Sequence, residues 1–125
     1  MSAWGPSNIE NDAAHDFVNE QIDRYVSHIE DIFGNEGRFL LDEDAEGMLM
    51  PSVEIVSLLC EHCHGVLPEK LEVATWKARY LAMYDDQIDG LEPRDEYKRQ
   101  RRAVIEATFD RLRRQHEQQW HKKDE

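Results

Sequence analysis

Apolar residues recur three and four positions apart through most of this chain, and no alternation of apolar and polar residues lasts long enough to define a strand. That periodicity sets the expectation of an all-α fold. A first helix is predicted to start at Asn11 or Asp12, where short polar side chains accept orphan backbone N–H groups and Asp12 and Asp16 suit the positive end of the helix dipole. Its stripe is Val18, Ile22, Tyr25, Ile29, Ile32 and Phe33, and Gly34, Asn35 and Gly37 end it. Residues 34–50 read as an acidic connection, Asp42-Glu43-Asp44-Ala45-Glu46-Gly47, before Pro51 opens a second helix that runs to about His64. In that helix Val53, Ile55, Val56, Leu59, Cys60 and Cys63 occupy a wide arc opposite Glu54, Ser57 and Glu61, as a central helix requires.

A third helix is predicted from about Glu69 to Ile88, with Val73, Trp76, Tyr80, Leu81, Tyr84 and Ile88 on one face and Asp89-Gly90 as its stop. Pro93 and Asp95-Glu96 start a fourth, whose apolar side carries Tyr97, Val104, Ile105, Phe109 and Leu112. Arg101 falls inside that stripe and must reach either water or a carboxylate. Beyond Leu112 no residue suits the core until Trp120, so residues 115–125 are expected to fray or project as a single helix. No heptad is sustained. The expectation is one domain over residues 1–125: a compact bundle of about four amphipathic helices, with residues 1–10 as an N-terminal arm packed on the first. The longest apolar run, Val56 to Cys60 interrupted by Ser57, is far below the roughly 20 residues that span a bilayer. With an opening that has neither a basic leader nor an apolar stretch, a cytoplasmic protein with no membrane partner is expected.

Fifteen bases stand against 27 acids, a net charge of −12, which disfavours binding a polyanion by counterion release. The imbalance is uneven. Residues 1–92 carry 5 bases and 20 acids, residues 93–125 carry 10 and 7, so the last helix is expected to pack on the acidic remainder and partly neutralise it. Nucleic-acid binding through Lys98, Arg99, Arg102, Arg111, Arg113 and Arg114 is a disfavoured reading.

Motifs that carry chemistry are incomplete. Cys60-Glu61-His62-Cys63-His64 spells a c-type haem attachment site, a chemistry of exported proteins, and as a zinc site it lacks a second ligand pair. Both cysteines lie on the apolar arc and read as small hydrophobes. Asp42, Asp44, Glu46 and Gly47 match four positions of a calcium loop, but Val53 stands where the bidentate Glu belongs; a second partial match from Asp85 to Glu96 has Gln87 in place of an acid. His116 and His121 are five apart, about 140° from a common helix face, and cannot chelate as a zincin pair does. No catalytic residue, metal ligand or cofactor is therefore expected, and the rival reading is a metal-binding protein or metalloenzyme built on Cys60, Cys63 and His64 or on the acidic loops.

Trp4, Gly5, Pro6 and Ile9 precede the first helix, and a Trp in a short arm needs a pocket; the expectation is that Trp4 and Ile9 tuck under the helix while Asn11 caps it. Trp4, Gly5, Glu10, Asn11, Asp12, Ala14, Asp16 and Phe17 match in register the pattern G-x-W-G-x-G-x-F-[DE]-N-D-x-A-x-D-[FW]. This opening resembles that of the bacterial family called domain of unknown function 4259. Ser2 and Ser7 replace its glycines, and Leu41-Asp42 and Val53-Glu54-Ile55-Val56 are similar to later family segments. The resemblance implies a bacterial helical protein in which Trp4, Gly5, Asn11, Asp12, Asp16 and Phe17 are structural, and it assigns no reaction. The charge itself points to an acidic protein-binding module that masks a basic partner as immunity or inhibitor proteins do, with Asp42, Glu43, Asp44 and Glu46 as the expected contact patch.

Overall fold

A computed structural model describes residues 3–121. Its helices are α1 (Asp12–Phe33), α2 (Met50–His62), α3 (Val73–Gln87) and α4 (Asp95–Trp120). A π-helical segment, Leu41–Leu49, runs directly into α2, and a 3₁₀ turn, Ile88–Leu91, follows α3. Among the described residues the only β pairing is a single antiparallel bridge between Ala3 and Asn11. The all-α bundle is thus as the periodicity implies. No helix among these residues is long and apolar enough to cross a membrane.

α1 starts where the Asn11 carboxamide accepts the Ala14 N–H at 2.9 Å, and its buried side is Val18, Ile22, Val26, Ile29, Ile32 and Phe33. α2 packs between α1 and α4, which explains why its buried side includes Ser52 and Ser57 as well as Met50, Val53 and Val56. Ser57 corrects its assignment to the polar face. It is fully buried because its hydroxyl donates to Gln115 Oε1 at 2.8 Å and accepts from Arg111 Nε at 2.7 Å, two α4 groups that satisfy it away from water. α3 also packs on α4, and Phe33, Phe39, Tyr80 and Phe109 form a chain of tilted rings, 4.8 to 6.1 Å between neighbouring centroids, that ties α1 to α3 and α4.

The acidic connection is not a loop. Leu41, Ala45 and Leu49, four apart, are all buried, an apolar stripe hidden among carboxylates. Glu43 has non-helical torsions, φ −131° and ψ −129°, so the segment is kinked, and across and after the kink hydrogen bonds run one residue wider than in an α-helix: the Ala45 N–H donates to the Leu40 carbonyl at 3.3 Å and the Met50 N–H to the Ala45 carbonyl. Pro51 therefore sits in the first turn of a helix that the chain has already entered.

α2 stops with His64 in the left-handed region, φ 57°, and the Gly65 N–H donating to the Leu59 carbonyl at 3.0 Å. The third helix begins at Val73 rather than Glu69, because residues 65–72 are held out of helical conformation by partners elsewhere. Leu67 and Leu71 point into the core. The Val66 N–H donates to Asn19 Oδ1 at 2.9 Å, and Gln119 accepts from the Leu67 N–H at 2.7 Å while donating to the Gly65 carbonyl at 2.9 Å. His116 Nε2 donates to the Glu69 carbonyl at 2.7 Å and the Trp120 indole to the Leu67 carbonyl at 2.7 Å. The expected fraying of residues 115–125 is corrected as far as Trp120: that part of α4 is docked, through polar rather than apolar groups. Residues 122–125 lie outside the described residues.

Candidate functional site

Four side chains that the sequence groups as one acidic patch have different fates. Asp42 and Glu43 are exposed, whereas Asp44 pairs with Arg38 at 2.6 Å. Glu46 is half-buried and faces inward. Its Oε1 accepts from Arg101 Nε at 2.7 Å, and its Oε2 accepts from the second Arg101 nitrogen at 3.0 Å and from the Tyr80 hydroxyl. Arg101 thereby meets the carboxylate its place in the α4 stripe demands. The Glu46 hydrogen bonds hold the guanidinium more firmly charged, while burial first, and then Glu46, push the Tyr80 phenol far above its ordinary range. Glu46 is engaged inside the fold.

Beside this cluster lies a pocket of about 620 Å³ between the π-helical segment, the 3₁₀ turn and the start of α4. Leu41, Ile88, Leu91 and Pro93 supply its hydrocarbon, Tyr84 and Tyr97 its rings, and Glu46 and Arg94 its charges. The Tyr84 hydroxyl is already satisfied, donating to the Lys98 carbonyl at 2.9 Å. Tyr97 and Leu91, at 52% and 49% exposed, stand at the surface, so Tyr97 does not join the core as its place in the α4 stripe predicts. Val104, equally exposed, departs from that stripe in the same way; the buried side of α4 is the narrower set Ile105, Thr108, Phe109 and Leu112.

The two segments that line the pocket, residues 41–49 and 88–97, hold eight acids and one base, Arg94. Three of those acids are ion-paired to bases from elsewhere: Asp44 with Arg38, Glu46 with Arg101, and Asp89 with Lys98 at 2.6 Å. Asp42, Glu43, Glu92, Asp95 and Glu96 are exposed and form no ion pair among the described residues. Sequence reasoning finds the first two and misses the other three, because Asp95 and Glu96 read as the acids that start α4 and Glu92 falls inside the incomplete calcium match; the net charge of residues 88–97 is the available signal.

Only part of the opening motif makes contacts within the fold. A side chain on Gly5 would collide with the Glu10 carboxylate, whose pKa is held below the usual value by the Ser7 backbone N–H at 3.1 Å. Asn11 caps α1, Asp12 and Asp16 are exposed on it, and Phe17 is 61% exposed. Ile9 packs against the core as expected. Trp4 does not tuck under the helix: it is 48% exposed and rests edge-on against His15 and His64, with centroids at 6.0 and 5.3 Å.

Cys60 and Cys63 are free and half-buried against the core, and burial raises the Cys60 thiol pKa to about 11. His64 turns away from them toward Trp4 and Glu10. No three His, Cys, Asp or Glu side chains among the described residues are arranged to hold a metal ion. Of the α4 bases, Lys98, Arg101, Arg102 and Arg111 pair across to Asp89, Glu46, Asp85 and Glu54, so the helix neutralises part of the acidic body. Compared with family models, with curated proteins and with solved structures, the chain matches none.

Proposed function

We propose that this chain is an acidic protein-binding module that covers a basic surface of its partner, in the manner of an immunity or inhibitor protein, and that it belongs with the bacterial family its opening resembles. One observation carries the reading. Four of the seven α4 cations, Lys98, Arg101, Arg102 and Arg111, are drawn into pairs with the rest of the fold, yet Asp42, Glu43, Glu92, Asp95 and Glu96 stay outside such pairs on segments that share one pocket. Such a face steers a cationic partner toward it and repels nucleic acid. Asp42 and Glu43 remain in the contact patch; Asp44 and Glu46 serve it from behind by shaping the segment.

The test is a pull-down with the intact protein beside a variant carrying Asp42→Asn, Glu43→Gln, Glu92→Gln, Asp95→Asn and Glu96→Gln. A basic protein retained by the first, lost by the second and released as salt is raised is the expected result. Retention of no basic protein, or retention that neither salt nor the five substitutions change, overturns the reading.

A further inference from the structure

We infer that the pocket bounded by Leu41, Leu91 and Tyr97 receives one bulky apolar or aromatic side chain from a cationic segment of the partner. This rests on the reading of the acidic face just given and adds what the partner must present there. The volume, about 620 Å³ in a depression open to solvent, leaves room for one bulky side chain. Its deeper polar groups ask for no hydrogen bond: the Glu46 carboxylate is engaged by Arg101 and Tyr80, and the Tyr84 hydroxyl by the Lys98 carbonyl, which leaves only Arg94 and the Tyr97 hydroxyl, both on exposed residues, to meet a polar group. An apolar occupant covers Leu91 and Tyr97, two large side chains about half exposed.

The segments around the opening set the charge of what flanks that occupant. Asp42, Glu43, Glu92, Asp95 and Glu96 lie within two residues in the chain of the lining residues Leu41, Leu91, Arg94 and Tyr97 and favour Lys or Arg beside the anchor, while Arg94, itself in the lining, opposes them. An apolar anchor centred in a ring of charge pairs is how binding energy concentrates at protein interfaces.

The probes are three capped pentapeptides, Lys-Lys-Trp-Lys-Lys, Lys-Lys-Ser-Lys-Lys and Glu-Glu-Trp-Glu-Glu, titrated into the intact protein at low salt and followed by amide chemical shifts. The tryptophan-lysine peptide is expected to bind about 10-fold tighter than the serine-lysine one, on the scale of one buried aromatic anchor, with shifts centred on Leu41, Leu91 and Tyr97. Leu91→Ala and Tyr97→Ala, both at exposed positions, should each reduce the Trp peptide's advantage over the Ser peptide and leave the Ser peptide's affinity unchanged. Arg94→Gln should tighten both lysine peptides a few-fold by removing a like charge.

Equal affinity of the two lysine peptides, with shifts still at the five acids, overturns the anchor and leaves the acidic face standing. Binding of the glutamate peptide as tight as that of its lysine counterpart overturns the cationic segment. Lysine peptides that shift none of these residues overturn the face itself.

Discussion

Arg101 and Glu46 meet with side chains only 21% and 28% exposed, and Tyr80 completes the cluster from inside the core. Removing one member leaves the others short of partners, so Glu46→Gln should cost about 2 kcal/mol in urea unfolding. The triple change Glu46→Leu, Tyr80→Phe, Arg101→Met removes every polar member at once and is expected to cost less than the single one; a larger loss would show that the ion pair adds net stability. Cys60 supplies a pH test. Its thiol has a pKa of about 11 in the fold against 9.0 for an unperturbed one, so between those values the unfolded chain has lost a proton that the folded chain keeps. Stability is then present below pH 9 and falls as pH rises through 11, and the upward shifts of Tyr80 and Tyr84 have the same sign. Alkylation at pH 8 should proceed at Cys60 on the order of 100-fold more slowly than at an unperturbed thiol, measured by mass spectrometry of the labelled peptide. That Arg101 needs a carboxylate is legible from its place in an apolar stripe; that the carboxylate is Glu46, 55 positions away, is not.

At the scale of elements, two of the departures from expectation share a cause. Residues 41–49 look like a loop because acids outnumber the buried Leu41, Ala45 and Leu49, and residues 115–120 look frayed because amide and imidazole side chains carry no hydrophobic signal. In the fold those amides do the docking. Gln119→Ala should cost about 1–2 kcal/mol by leaving the Leu67 N–H and the Gly65 carbonyl unpaired, and should speed hydrogen exchange at Leu67. Its neighbour Gln118 is exposed, and Gln118→Ala should stay within about 0.5 kcal/mol of the parent. Equal effects of the two substitutions would mean that the end of α4 is not held as described.

Over the whole molecule, a net charge of −12 sets a self-repulsion against which the α4 ion pairs work. α1 alone carries six acids and one base, Arg24, and none of these acids is ion-paired among the described residues. Exposed pairs contribute at most about 1 kcal/mol each, so screening the repulsion should outweigh screening the pairs. Raising NaCl from about 10 to 200 mM should therefore raise the Tm by a few degrees, and Asp16→Lys with Asp23→Lys should reproduce part of that rise at low salt. A Tm that falls with salt would assign the larger role to the α4 pairs. Helix class, the Asn11 cap and the α1 stripe were determined by the sequence itself, since they depend on residues three or four apart. The inward turn of Glu46, the docked end of α4 and the pocket with its acidic surroundings were decided only by tertiary structure, because each depends on groups tens of residues apart whose meeting no local pattern records.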